Sequence, residues 1–456
     1  MSKILYFLVK ENLPITEVLY SIEQNHSRSV FVQDSNGKVI GIATDGDIRR
    51  FLMKNPDMGS PVNLCMNESF VYATTDHTRE YVLKLLDHRV QIVPILDKEG
   101  KLVDVVTAKV FPLEQEKNTV IRSRSPVRIS FGGGGTDLTH YFVRNDVGVV
   151  MNATLKMYSH ASLRKRSDCK VIIDSADLKE RVELENLDLL GQHPKMQLIN
   201  SLLKLINPEF GFELSISSDF PVGSGLGGSA VVLSAIIGCF NQLREDPWDR
   251  HEIAQLAFQA ERIFMKMQGG WQDQYATVFG GFNFIEFKES ENIVHPLKIK
   301  KETLLELEGN LILCNSNQAH VSGQIHADQK ANFEKNSHVQ DQVHKNKELC
   351  YQMKSMLLRG HLNEFGRALD TAWNLKRNFS SGITDDRLDG IYHSAMKAGA
   401  LGGKLLGAGG GGFFLFYVLP EKRSGLVKEL EKSGLETKPV HFDDDGLQVW
   451  TVRLDQ

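Results

Sequence analysis

A glycine-rich segment at residues 221–230, PVGSGLGGSA, is the part of the sequence that could most readily bind phosphate. It follows an apolar segment typical of a strand and leads into a long apolar helix. Glycines let the backbone approach a ligand with positive φ angles, and the free N–H groups at a helix start favour phosphate oxygens. No lysine precedes Ser229, so this is not the GxxxxGK[ST] loop. The alternative is a turn whose glycines serve packing alone.

A second candidate is residues 125–137, SPVRISFGGGGTD, where an arginine stands in an apolar strand and a carboxylate follows a glycine turn. Arg128 could stabilise the charge of a phosphoryl group in transfer. Asp137 could accept hydrogen bonds from sugar hydroxyls. Taken alone, these residues are equally compatible with a solvated arginine and an ordinary turn aspartate.

Two further segments contain candidate residues. In residues 269–276, GGWQDQYA, Asp273 could take or orient a hydroxyl proton, and Glu261 on the preceding helix could reach a magnesium ion. The alternatives are a helix N-cap for Asp273 and an exposed helix charge for Glu261. Residues 402–412, GGKLLGAGGGG, predict a backbone that lies close to a ligand, or a strained turn without one.

The elements that position these residues fall into two patterns. Up to about residue 115, short strands and helices alternate, and two similar units spaced by ~60 residues form an internal repeat. A polar stretch at 114–118 is predicted to be a linker. The rest is a mixed α+β enzyme domain rather than a simple βαβ repeat. Its predicted strands are 127–131, 149–163, 212–217, 280–287, 311–315, 413–419 and 448–454, and its predicted helices are 230–243, 253–267 and 340–375.

Composition limits the classes of function. The net charge of −4 over 456 residues does not favour nucleic acid or an anionic membrane as partners. The N-terminus lacks the pattern of a signal peptide, and no apolar run is long enough to predict a transmembrane helix. The five cysteines are scattered, which fits neither a disulfide framework nor a zinc site and predicts a cytoplasmic protein.

The order of the three glycine-containing motifs resembles the GHMP kinases over residues 122–456. The strings SPVRISFGGGGTDL, GGWQDQYATVFGGFNFIEF, TAWNLKR and GALGGKLLGAGGGGFF are similar to those of the heptose 7-phosphate kinases in that family. The resemblance implies an α+β fold of two lobes after a linker at 116–121. These are a ribosomal-protein-S5-like N-terminal lobe, 122–300, and a ferredoxin-like C-terminal lobe, 301–456.

The resemblance also implies an activity and site roles. The γ-phosphoryl group of ATP would pass to the anomeric hydroxyl of a sugar phosphate, with Asp273 and Arg128 catalytic and Ser229 and Glu261 as Mg²⁺ ligands. The implied ATP-binding residues are Pro221, Gly223, Ser224, Gly225, Leu226, Gly227, Gly228 and Ser229, and the implied sugar-binding residues are Gly134, Gly135, Thr136, Asp137, Gly410 and Gly411.

This chain departs from the family pattern in two places. Gly228 stands where a second serine is common, and Asn315, Ser316 and His320 replace a threonine, a glycine and an arginine of heptose kinases. The acceptor therefore stays open between a heptose phosphate and another sugar of the fucose or galactose type. A nucleotide-binding regulator with an inactive kinase fold is a third possibility, which the presence of the catalytic and metal-binding residues disfavours.

Residues 1–115 resemble a pair of CBS domains, an α/β module that senses nucleotides. In GIATDGDI, residues 41–48, Thr44 and Asp47 match the pair that holds a nucleotide's ribose and phosphate. The second unit keeps Thr107 but has Val110 in place of the aspartate, which leaves at most one regulatory nucleotide site. The alternative is a CBS pair that serves only contacts within a homodimer.

Overall fold

The structure is a computed structural model that describes residues 4–87, 90–107, 119–318 and 322–454. Contacts between residues divide the chain into two compact units, Met1–Lys117 and Asn118–Gln456. The predicted linker at 114–118, the position of Val110 and the position of His320 lie outside the described residues.

The N-terminal unit contains two three-stranded sheets of the same design, which confirms the internal repeat. In each, the first strand pairs parallel with the second, and the second pairs antiparallel with the third. Alternating apolar residues such as Val30, Val32 and Ala43 face the core of the first sheet. The strands are Leu8–Lys10, Ser29–Gln33, Val39–Thr44, Ala73–Thr74, Ile92–Leu96 and Leu102–Thr107, and the α-helices are Ile15–Asn25, Asp45–Leu52 and Arg79–Leu85.

The C-terminal unit begins with a nine-stranded sheet built on two long neighbouring strands, Thr119–Gly132 and Gly148–Lys165. The predicted strand 127–131 is thus the buried end of a longer one. The predicted strand at 280 starts later, at Phe282, because Gly280 and Gly281 turn the chain with φ angles of 70° and 73°. The other strands are Val171–Ser175, Glu180–Leu184, Phe212–Ser218, Phe282–Phe287, Asn292–Pro296, Phe442–Asp443 and Gln448–Arg453.

The helices of this lobe place the candidate residues. Gly228–Asn241 is buried along most of its length and packs on the two long strands. The predicted helix 253–267 is instead an α-helix followed at once by a π-helix, Gln259–Phe264. The α-helices of the lobe are Thr139–Phe142, Gln197–Ile206, Gly228–Asn241, Arg250–Phe258 and Gln272–Phe279.

The C-terminal lobe has a four-stranded antiparallel sheet with the ferredoxin-like connection β-α-β-β-α-β. The helix predicted over 340–375 is two helices, because Gly360 ends the first with a φ of 76°. The strands are Leu311–Asn315, Ala400–Leu405, Phe413–Val418 and Glu436–Pro439. The α-helices are Lys301–Asn310, Ser322–Lys335, Ser337–Arg359, Leu362–Lys376, Asp386–Lys397 and Pro420–Lys432.

The end of the chain returns to the large sheet. Phe442–Asp443 pairs with the strand Gly148–Lys165, and Gln448–Arg453 pairs with Thr119–Gly132. The lobe boundary at 300/301 stays a prediction, and residues numbered beyond it complete the N-terminal lobe's sheet. None of the helices in the described part of the chain is long and apolar enough to cross a membrane.

Candidate active site

A cleft of about 230 Å³ in the C-terminal unit is lined by residues of three candidate segments and by Gly407 and Ala408 of the fourth, residues 402–412. Its walls come from the strand ends, the start of the long apolar helix and the π-helix. The predicted residues that line it are Arg128, Asp137, Gly223, Ser224, Gly225, Gly227, Gly228, Ser229, Glu261 and Asp273.

The glycine loop has the conformation that its composition predicts. Gly223, Gly225 and Gly227 have φ angles of 75°, 75° and 82°, where a side chain would be strained. Leu226 is fully buried, and its carbonyl oxygen accepts a hydrogen bond of 3.2 Å from the Arg128 N–H. The helix begins at Gly228, so its first N–H groups lack intrahelical partners and lie at the positive end of the helix dipole.

Arg128 and Asp273 form a bidentate ion pair at the floor of the cleft. Arg128 Nε donates to Asp273 Oδ1 at 2.8 Å and Nη2 donates to Oδ2 at 2.9 Å. Nη1 donates to the carbonyl of Gly225 at 2.7 Å, which links the pair to the glycine loop. Arg128 is only 4% exposed, so the alternative of a solvated arginine is wrong.

Asp273 is the second residue of the helix Gln272–Phe279 rather than its N-cap, which is Trp271. Burial alone would raise the pKa of the Asp273 carboxyl, but the charge of Arg128 and its hydrogen bonds lower that pKa on balance. Asp273 is therefore a carboxylate at neutral pH, able to accept a hydrogen bond from a hydroxyl in the cleft.

Asp137 is a second buried carboxyl in the cleft. Its oxygens accept hydrogen bonds from the N–H groups of Gly135 at 3.1 Å and Gln272 at 3.3 Å. Burial raises its pKa, and the charge of Asp273 raises it further. A Cβ atom on Gly270 would lie 1.8 Å from Asp137 Oδ2, so glycine is required there for the two segments to meet.

Glu261 is buried in the π-helix, which excludes the alternative of an exposed helix charge. Its Oε2 accepts a hydrogen bond of 2.8 Å from Gln274, and the Ser229 side chain lies near enough to lower the pKa of its carboxyl slightly. Burial raises the pKa of Glu261; Arg262 opposes this rise and Asp273 adds to it. One carboxylate and one hydroxyl are the hard oxygen donors that Mg²⁺ takes when phosphates and water supply its other ligands.

The glycine-rich segment at 402–412 packs mainly on the glycine loop at 221–230. A Cβ atom on Gly407 would lie 2.8 Å from the backbone of Gly225, and one on Gly412 would lie 2.5 Å from the Ser224 carbonyl oxygen. Close approach of two backbones therefore explains these glycines.

Within the described residues no group of three or more His, Cys, Asp and Glu side chains could hold a metal ion.

Seven predicted binding residues do not line the cleft, as far as the described residues define it. Two of them, Gly134 and Gly135, line a smaller cavity beside it. The Thr136 hydroxyl donates to the carbonyls of Gly133 and Val149, and Leu226 belongs to the core. The others are exposed Pro221 and two glycines that pack against Ile383 and Gln318, namely Gly410 and Gly411.

The chain is similar to known kinases and to known CBS domains. Residues 196–281 match the GHMP kinases N terminal domain, residues 353–432 match the GHMP kinases C terminal domain, and residues 6–54 and 62–109 match the CBS domain. The D-glycero-alpha-D-manno-heptose 7-phosphate kinase of Campylobacter jejuni is 36% identical over 338 residues, which is 73% of this chain and 99% of that protein. This chain belongs to the GHMP kinases.

Other members of the GHMP kinases agree with this assignment. The crystal structure of a D-glycero-D-manno-heptose 1-phosphate kinase from Bacteroides thetaiotaomicron has a TM-score of 0.61 and 28% identity, covering 72% of this chain and 98% of that one. The L-fucokinase/L-fucose-1-P guanylyltransferase of Bacteroides fragilis is 26% identical over 413 residues. The aligned part covers 81% of this chain and 43% of that protein. As a GHMP sugar kinase with a CBS pair, this protein is a phosphotransferase that acts on a sugar hydroxyl.

Four basic residues of this GHMP kinase were not predicted to be functional. Arg262 and His326 line the cleft, and burial with the nearby charge of Arg262 lowers the pKa of His326 to about 4. Lys376 and Lys404 are buried beside the glycine turn at 132–135. The sequence contained a signal for two of these residues: Lys404 lies within the apolar strand GGKLL, and Arg262 directly follows Glu261.

The CBS unit places Thr44 and Asp47 together at the start of the helix Asp45–Leu52. They form a capping box: the Thr44 hydroxyl accepts from the Asp47 N–H at 3.2 Å, and Asp47 Oδ2 accepts from the Thr44 N–H at 3.0 Å. Arg50 also forms an ion pair with Asp47. The two predicted residues thus lie together and hydrogen-bond each other, and their role in nucleotide binding stays a prediction.

Proposed function

We propose that this protein transfers the γ-phosphoryl group of ATP to the anomeric hydroxyl of D-glycero-D-manno-heptose 7-phosphate. The observation that carries this proposal is the buried Arg128–Asp273 pair beneath a glycine loop at a helix start. Phosphoryl transfer depends mainly on positioning and on charge stabilisation, and this arrangement supplies both.

Each residue then has a defined task. Asp273 accepts a hydrogen bond from the acceptor hydroxyl and takes its proton as the new O–P bond forms and the bond from phosphorus to the ADP oxygen breaks. Because Arg128 lowers the pKa of Asp273, that proton passes late, as a loose transition state allows. Arg128 stabilises the charge of the phosphoryl group in transfer.

The glycine loop and the metal ligands hold the nucleotide. The N–H groups of residues 223–229 would bind the phosphates of ATP. Ser229 and Glu261 would hold Mg²⁺, which neutralises phosphate charge when bound. The raised pKa of Glu261 supports this assignment, because a buried carboxyl gains most from a cation beside it.

The choice of acceptor rests on similarity to heptose kinases. The Campylobacter relative is named for a heptose 7-phosphate, and it aligns over nearly its whole length. The residues at 315–316 depart from the heptose kinase pattern, so kinases for other sugars, of the fucose or galactose type, are the alternative.

The test is a coupled ADP-release assay with C6 and C7 sugars, each with and without a terminal phosphate, followed by ³¹P NMR of the product. We expect the highest kcat/KM with the heptose 7-phosphate and a phosphorus signal for an anomeric phosphate. A higher kcat/KM with free fucose or galactose would overturn the acceptor assignment. We also propose that the protein is cytoplasmic, so the assay is run at the pH of the cytoplasm.

The CBS unit supports a second, regulatory proposal. A nucleotide held by Thr44 and Asp47 would change the kinase rate, because the hydroxyl and carboxylate can bind ribose and the helix start can face phosphate. Calorimetric titration of the full-length protein with adenine and guanine nucleotides tests it, with Asp47→Ala as the comparison. If parent and variant bind every nucleotide alike, the CBS pair serves another purpose, such as contacts within a homodimer.

A further inference from the structure

Two buried lysines lie behind the catalytic pair without a role in the reaction described above. Lys376 ends the helix Leu362–Lys376 and is 8% exposed, and Lys404 lies in the strand Ala400–Leu405 and is 4% exposed. Lysine is almost never buried to this degree without a partner for its charge. Their burial therefore needs an explanation.

The partners of both ammonium groups are backbone carbonyls. Lys376 Nζ donates to the carbonyls of Leu405 and Gly407, and Lys404 Nζ donates to the carbonyl of Phe131 at 3.2 Å. No acidic side chain in the described part of the chain forms an ion pair with either lysine. Carbonyls satisfy some of the N–H donors but leave both ammonium groups without a carboxylate in direct contact.

Both lysines line a second, smaller cavity that opens from the same site. This cavity shares Arg128, Gln272 and Gly407 with the main cleft, and it reaches the predicted sugar-binding glycines Gly134 and Gly135. Three polar atoms of its lining residues are buried and have no hydrogen-bond partner, namely Ser130 Oγ, Gln272 Oε1 and Asn346 Oδ1. Buried polar atoms without partners are typical of a site that a ligand or ordered water completes.

The charge balance of this cavity indicates the sign of its ligand. Burial lowers the pKa of Lys376, and the charges of Lys404 and Arg128 lower it further, while the charge of Asp137 opposes them without offsetting them. Burial also lowers the pKa of Lys404, to about 8; Cys350 opposes this change and Arg128 adds to it. An anion near these cations would stabilise their protonated forms, whereas a neutral ligand would not.

We propose that Lys376 and Lys404 form a phosphate subsite that binds the acceptor's own phosphate group. The inference rests on the proposed function, since it concerns a sugar that already carries a phosphate. Gly134 and Gly135 line the cavity between these lysines and the turn that contains Asp137. One sugar phosphate could therefore contact the lysines and the Asp137 turn at the same time. Lysine binds phosphate as a point charge with several donors, and charge-assisted hydrogen bonds to it are strong.

The experiment uses the full-length protein with Lys376→Met, Lys404→Met and the double variant. Methionine keeps most of the buried aliphatic volume but removes the charge. Lys397→Met, at an exposed position in the last turn of the helix Asp386–Lys397, is the control. The measured quantity is the ratio of kcat/KM for the sugar phosphate to kcat/KM for the same sugar without phosphate. Each single variant is expected to lower this ratio by about 10-fold or more, and the control is expected to keep the parent ratio.

A second measurement does not depend on catalysis. With the nucleotide site saturated by ADP, so that the glycine loop at 223–229 is occupied, inorganic phosphate should raise the melting temperature of the parent and of Lys397→Met, and this rise should be absent in the double variant. A double variant with the parent's selectivity ratio and the parent's response to phosphate would overturn the subsite. Failure of the proposed function would instead appear in the parent, as an absence of turnover with every sugar phosphate.

Discussion

The kinase cleft and the CBS unit differ in how far apart in sequence their paired polar groups lie. In the cleft, Arg128 and Asp273 are 145 residues apart in sequence, and the folded sheet brings them within 2.8 Å in a buried place. In the CBS unit, Thr44 and Asp47 are neighbours on one helical turn and hydrogen-bond each other.

This difference indicates how strongly each site depends on its ligand. The cleft has buried carboxyls with raised pKa values at Asp137 and Glu261, which cations and hydroxyls would stabilise. The capping box is complete without a ligand, so a nucleotide there must replace or share existing hydrogen bonds. Changes in the cleft should therefore have large effects on the reaction, and changes in the capping box should have small ones.

The largest expected effect is that of Asp273→Asn. The substitution keeps the shape of the side chain but removes the carboxylate that accepts the hydroxyl proton. We expect kcat to fall by ~10²-fold or more with KM for ATP nearly unchanged. Steady-state kinetics with both substrates measures this, and near-normal turnover would remove Asp273 from the catalytic role.

Gly270→Ala tests the approach of two segments in the cleft. The added Cβ would lie 1.8 Å from Asp137 Oδ2, so the turn must move. We expect KM for the acceptor to rise by about 10-fold, because misplacement of a positioning group by about 1 Å is costly. Gly309→Ala, which has open space for the Cβ, is the control. Equal KM values for the two variants would contradict a sugar-contacting role of Asp137.

Ser229→Ala and Glu261→Gln test the metal ligands. Each removes or weakens one hard oxygen donor, so we expect the Mg²⁺ concentration at half-maximal rate to rise several-fold. Glu302→Gln, an exposed carboxylate at the start of the helix Lys301–Asn310, is the control. Mg²⁺ titrations that match the control in both variants would show that the metal binds elsewhere.

Asp47→Ala is expected to have the smallest effect. The substitution removes half of the capping box, so the free energy of unfolding of the CBS unit should fall by ~0.5–2 kcal/mol. Thermal unfolding should show this as a lower melting temperature. Any change of kinase rate by a nucleotide should be several-fold in the parent, as coupling of ~1–3 kcal/mol allows, and weaker in the variant. Asp45→Ala, exposed in the same turn, is the control. A response to nucleotide in Asp47→Ala equal to that of the control would contradict the regulatory site.

Local patterns made much of the fold predictable. The strand Leu311–Asn315 has the predicted bounds, because a glycine and a polar turn delimit a short apolar run. The π-helix was not predictable in this way. Its first residues continue a helical pattern, and the i to i+5 hydrogen bonding is visible only in the folded chain.

The sequence by itself determined which residue types were available: the glycines of the loop at 221–230, the Thr44–Asp47 cap, and the order of motifs typical of GHMP kinases. These signals are local, and backbone sterics and hydrogen bonding over a few residues give them their meaning. Only the tertiary structure decided which charges are buried and which groups they meet. It paired Arg128 with Asp273, placed Gly410 and Gly411 outside the lining of the cleft, and buried Lys376 beside Lys404. Burial and pairing depend on residues far apart in the chain, and a charge acquires its pKa and its role from that surrounding.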